Sequence, residues 1–300
     1  MNRIKFHVDE TQDHPIERVL FETKTRKSNI FYRESSKKHE LSQFAVCPAC
    51  NEPVQIIGLY KPSLNTDKPY AKHVNYSLAN LASYEQENYD FCPYRAERLT
   101  YHKTSRKTYI NGLAHAIIKK LITKFDRIIY IAQKIAGIYI SNSLAKSMLN
   151  DYLGNQAYLY PGSTLTNIPL MLLYFMRANT LMYRIIPPNT ALRTMLESRN
   201  DISFIGNRLE NREKRFKKLT FYFIDHRTQL IEHELMETLQ LGVALDDVAI
   251  FEHKLQFDPV YAENLIHYPQ DKLTEKTRLH NQTRLEIARR VADERGIKFD

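Results

Sequence analysis

Tryptophan is absent from the 300 residues, glycine occurs 8 times and cysteine 3 times. Each scarcity removes a class of protein. The few glycines form no phosphate-cradling P-loop, no dinucleotide fingerprint and no G-x-S-x-G nucleophile turn, and no internal repeat is present. An odd cysteine count that includes a Cys-Pro-x-Cys turn does not suit the disulfide framework of a small secreted domain. Long apolar runs are missing as well. The most apolar stretch, 168–176, is shorter than the about 20 residues a membrane span needs. Residues 1–5 lead into charged sequence rather than into an apolar signal core. These absences set the expectation of a cytoplasmic protein with no membrane association.

What remains is an ordinary soluble balance, 43% hydrophobic and 26% charged, with 19 tyrosines and a formal net charge of +9. The length supports two domains, or one domain with a metal-bound appendage. The expected class is α+β: a zinc-ribbon-like N-terminal module, a helical middle and a small C-terminal sheet with flanking helices. The expected division is 1–98, a zinc-ribbon-like module with an N-terminal β-hairpin, and 99–300, an α+β domain. The positive charge favours an anionic partner, DNA or RNA, over a neutral one.

All three cysteines fall within 47–92. Cys47-Pro48-Ala49-Cys50 is a tight turn that aims two thiolates at one point, and Cys92-Pro93 repeats its opening with one more sulfur. Thiolates are preferred ligands of Zn²⁺, which accepts a Cys₃His set. His73 in Tyr70-Ala71-Lys72-His73 is the expected fourth ligand, with His102 as the alternative. The alternative reading is three ordinary reduced thiols. A strand ending in Phe44-Ala45-Val46 should enter the turn and one beginning at Pro53-Val54 should leave it. Further upstream, 18–22 and 29–33 read as short strands around a basic hairpin tip, and 75–87 reads as a short helix.

This order of Cys-Pro-x-Cys, Pro53-Val54, Tyr-Ala-Lys-His and a later Cys-Pro resembles the N-terminal metal-binding module of the CoiA-type competence proteins, over residues 44–95. That family carries two histidines around an aromatic residue after the turn. Here only His73 is present, and no residues match the family's nuclease motif. The resemblance implies a metal site and carries no activity with it.

Two basic segments are the candidate nucleic-acid surface. Arg95, Arg98, Lys103, Arg106 and Lys107 are interleaved with tyrosines such as Tyr101, a mixture that neutralises phosphates and stacks bases. Arg212, Lys214, Arg215, Lys217 and Lys218 lie on a charged connector between strands expected at 201–205 and 219–224. Both segments also read as solvated linkers. Between them, periodicity predicts a helix from about 108 with His115 among its core positions, and a helix over 143–153 capped by Ser141 or Asn142. The β-branched run 128–131 reads as strand or helix, and the apolar 170–186 stretch reads as core.

Near the C-terminus, Asp225-His226 and His233-Glu234 suggest an acid–base or metal pair, the latter on a helix over 230–241. Glu252-x-Lys254 resembles the acid-x-Lys of restriction-type nucleases. However, Asp247 on the same extended strand would lie about 16 Å from Glu252. The leading expectation is a nucleic-acid-binding protein with structural zinc. Its alternatives are a metal-dependent nuclease using Asp225, His226 or Glu252 and Lys254, and a zinc-containing scaffold subunit of a larger protein assembly.

Overall fold

A turn bearing two of the cysteines joins neighbouring strands of an antiparallel sheet, and the chain around it forms one of two compact units. The computed structural model describes residues 1–10, 12–34, 41–61, 68–95, 101–110, 112–212 and 217–299. The first unit comprises Met1–Ile117, Leu159–Thr166 and Gln229–Leu235; the second comprises Ile118–Tyr158, Asn167–Thr228 and Met236–Asp300. Together they make a mixed α+β chain.

In the first unit, β1 (Arg3–Ile4) and β2 (His14–Pro15) pair briefly before α1 (Arg18–Thr25). The strand expected at 18–22 is therefore a helix. Five residues are too few to separate the two periods; burial does so, because Phe21 and Thr25 face inward at i, i+4 spacing. Arg18 and Glu22 form an i, i+4 pair on the same helix. Arg26 and Lys27, both at positive φ, end it where the basic hairpin tip was expected.

The sheet that follows has the order β3 (Tyr32–Glu34), β4 (Leu41–Val46), β5 (Pro53–Ile57) and β6 (Tyr70–His73), antiparallel throughout. Val46 pairs with Pro53 and Val54 with His73, so one end of the sheet collects both the cysteine turn and the histidine. The helix expected over 75–87 is instead a turn closed by a Leu78–Ala82 bridge, followed by the short α2 (Gln86–Asp90). The chain continues into α3 (Gly112–Thr123), a helix where periodicity places one.

The second unit is built on helices. α4 (Phe125–Ala136) takes up the β-branched 128–131 run, and Gly137 at φ 63° ends it. Ile128, Ile129 and Ile131 are all fully buried there, so packing overrides their strand propensity. α5 (Asn142–Gly154) is capped by the Ser141 hydroxyl, which accepts from the Leu144 N–H. α6 (Ile168–Phe175) is buried at every position, as the apolar composition implies.

Next come β7 (Asn179–Thr180), α7 (Ala191–Glu197) and a small hairpin of β8 (Ile202–Ile205) and β9 (Arg208–Asn211), turned by Gly206 at φ 60°. β9 thus occupies part of the expected charged connector, and 201–205 pairs with it rather than with 219–224. The main sheet runs β12 (Val248–Phe257), β11 (Glu234–Leu245), β10 (Leu219–Ile231), β7. Its long strands meet at two-residue turns with φ positive at both positions, Glu232-His233 and Asp246-Asp247, as type I′ hairpins require. The helix expected at 230–241 is therefore a hairpin. α8 (Pro259–Ile266) and α9 (Glu275–Glu294) complete the unit, both packing on α4. Among the described residues no helix is long and apolar enough to cross a membrane.

Candidate metal centre

Cys47 and Cys50 flank a turn whose geometry follows from its residues. The Cys47 N–H donates to the Glu52 carbonyl at 2.8 Å, and the Asn51 N–H donates to the Cys47 carbonyl at 3.1 Å. Asn51 has φ 65°, a conformation asparagine tolerates better than most side chains. Its amide oxygen accepts from the buried Lys5 ammonium at 2.6 Å. Cys92 sits on a second turn: its N–H donates to Tyr89 and its carbonyl accepts from Arg95. β6 brings in His73, whose ring meets Tyr89 edge-on.

The four side chains converge. Cys50 Sγ lies 3.3 Å from His73 Nε2 and Cys47 Sγ lies 3.8 Å from Cys92 Sγ. All four ligand atoms fall within 4.8 Å of one another, so the cluster can hold a metal ion. The cysteines are buried and carry no disulfide, while His73 is half-buried. His102, the alternative ligand, is exposed and outside the cluster. Among the described residues this is the only group of three or more such ligands.

Without an ion the thiols compete for charge. Burial pushes Cys50 well above the ordinary thiol range, and Cys47 and Cys92 add to that shift. Burial, then Cys47, does the same to Cys92. Burial also opposes ionisation of Cys47, but hydrogen bonds from Cys50 and Cys92 and the charge of His73 outweigh it and hold that thiol well below its usual range. A bound cation relieves this competition by allowing all three to ionise. Next to the turn, buried Glu52 accepts from the Glu85 N–H at 3.0 Å, and burial pushes its carboxyl up to about 7.

The basic residues are disposed less simply. Arg98, Lys214 and Arg215 lie outside the described residues. Arg95 pairs with Asp90 at 3.1 Å and lies over the Tyr89 ring. Tyr101 packs edge-on against Phe91 and donates to the Asp90 carbonyl. Arg106 donates to the carbonyls of Lys103 and Ser105. Lys107 is buried, not a surface cation, and burial lowers its pKa against the opposing pull of Cys50 and Cys92. Lys217 joins Arg199 on Asp201, whose carboxyl is held well below its usual range, chiefly by Arg199. Lys218 reaches Asp247 at 2.7 Å, and Arg212 is exposed. His115, expected in the core, is exposed on α3.

The C-terminal candidates do not assemble. Asp225 pairs with Arg227, His233 stacks on Tyr70 at 4.4 Å, and Glu234 accepts from Asn2. Glu252 accepts from Gln240, and Lys254 lies beyond it on an exposed strand. His226 instead meets Glu237 at 3.0 Å, with both side chains buried and Asn167 donating to the same carboxylate at 2.7 Å. Asp225 at φ 58° is the cause: it interrupts the alternation of buried Phe221 and Phe223 and turns His226 inward. Glu237 had no local signal, since its pairing with His226 depends on the hairpin. No family model matches the chain, and neither a curated protein nor a solved structure matches it.

Proposed function

We propose that Cys47, Cys50, His73 and Cys92 bind one structural Zn²⁺ in a zinc-ribbon-like module, and that the protein binds DNA or RNA. The observation that carries the metal assignment is the convergence of three thiols and one imidazole. A tetrahedral ion with bonds of about 2.3 Å to sulfur and 2.0 Å to nitrogen has S–S edges of about 3.8 Å and S–N edges of about 3.5 Å. The observed separations are 3.8 and 3.3 Å. Four protein ligands leave no open coordination position, so the role is to hold structure rather than to turn over substrate.

The nucleic-acid reading is supported by the +9 charge and by how the metal module holds the segment after it. Tyr101 is tied to Asp90 and Thr108 to Glu87, leaving His102 and Tyr109 exposed. Tyr109, with half its surface open, replaces the packed Tyr101 as the platform for a base. The test is titration of labelled single- and double-stranded DNA and RNA at several salt concentrations. Affinity should fall with salt, with a logarithmic slope of ~0.9 per duplex phosphate contact, and Arg212→Gln should lower that slope by about one unit. Tyr109→Ala should cost about 1–3 kcal/mol on single strands and little on duplex. Every probe left unbound by micromolar protein at low salt would contradict this reading. Arg95, Lys217 and Lys218 already pair with acids, so a chain that binds no probe would leave the second reading, a zinc-containing scaffold subunit.

A further inference from the structure

β12 is the outermost strand of its sheet, has no proline or glycine, and after a bulge at Ile250 pairs regularly over 251–257. Glu252, His253 and Lys254 are consecutive and all exposed, so both faces of the strand are open at its middle. Among the described residues, no backbone hydrogen bond from outside the sheet reaches 248–257. A row of outward N–H and C=O groups of this length is a template for another strand.

The side chains specify which strand. In antiparallel self-pairing about a two-fold axis, each residue faces its mirror in the second copy. An axis at His253 sets Glu252 opposite Lys254 and Lys254 opposite Glu252, on one exposed face. It also sets Phe251 opposite Leu255 on the other face, apolar against apolar. Moving the axis to Glu252 or to Lys254 places that residue against its own copy, like charge on like charge, which is destabilising. Gln240 already holds the Glu252 carboxylate at 2.7 Å on this face. The opposite edge of the sheet, β7, is only two residues long, so pairing closes at two copies rather than propagating.

We propose that β12 is a homodimer interface: two copies join their sheets antiparallel through this edge, in a register centred on His253 with reciprocal Glu252–Lys254 pairs. The full chain should sediment as a dimer at tens to hundreds of micromolar. Lys254→Glu, and separately Glu252→Lys, should each weaken the dimer about tenfold, because symmetry turns both ion pairs repulsive. The double exchange Glu252→Lys/Lys254→Glu should restore it. Circular dichroism on each variant confirms the fold. Under mild oxidation, His253→Cys should cross-link two copies and Gln256→Cys, on the same regular run, should not, since residue 256 lies about 20 Å along the strand from its own copy. A wild type that stays monomeric, its edge left to solvent or to another protein, would overturn the proposal. So would a dimer indifferent to both charge reversals, or one cross-linked equally at 253 and 256.

Discussion

Cys50→Ser is expected to release the bound ion and loosen residues 41–95, because Cys50 faces His73 across the cluster and a small metal module depends on its ion to fold. The measurement is hydrogen exchange across that segment, with and without chelator on the wild type as the reference. Unchanged protection in the variant would contradict a structural role. The clustering of these four side chains was legible in the sequence, since three rare thiols and one histidine at these spacings have few other uses. The choice of His73 over His102 came from β6, whose register beside Pro53-Val54 brings residue 73 to the cysteine turn. The fate of Lys107 was not legible. A lysine in a basic run reads as solvated, and its burial appears only in the fold, where its N–H donates to the Leu159 carbonyl.

Among the elements of the second unit, the end of α3 from Ile118 onward and α8 are joined by a buried ion cluster. Lys120 lies 3.0 Å from Glu263, and His267 meets the same carboxylate at 3.0 Å. Removing one partner of a buried pair strands the other charge, so Lys120→Met should cost about 3–5 kcal/mol in urea unfolding, whereas Lys120→Met/Glu263→Leu should recover most of it. Burial raises the pKa of Glu263, but the hydrogen bond from His267 and the charge of Lys120 overcome that and leave it lowered. The sign follows: this carboxylate contributes stability above the ordinary glutamate range and loses it as pH falls through the depressed folded value. Unfolding midpoints that rise on acidification through that window would contradict the assignment.

The β10–β11 hairpin makes a different demand. A Cβ on Gly242 would collide with the Tyr222 ring, so Gly242→Ala should destabilise by about 1–3 kcal/mol, read by thermal unfolding. This hairpin escaped sequence reading because Glu232-His233 is a poor advertisement for a type I′ turn. The Gly206-Asn207 turn of β8–β9 carried the usual signal and was hidden by the charges around it. Ser141 and the periodic α3, by contrast, announce their helices locally.

For the whole molecule, the mixed α+β class was legible from the strand-like and helical patterns along the chain. The distribution of charge did not. The sum of +9 says nothing about pairing, and Asp201, Asp247 and Asp90 each take up cations that looked free in the sequence. Each compact unit has its own core, with α6 buried throughout in the second. Metal removal should therefore reduce exchange protection in 41–95 and leave α4 and α6 protected. Equal loss in both would contradict independent cores.

Zinc stoichiometry tests the metal centre most directly. Protein purified without chelator should carry one Zn²⁺ per chain by elemental analysis and native mass spectrometry. His73→Ala should lose the ion, whereas His102→Ala should keep it. Wild-type protein without stoichiometric zinc, or a His73→Ala variant that retains it in full, would contradict the Cys47–Cys50–His73–Cys92 assignment.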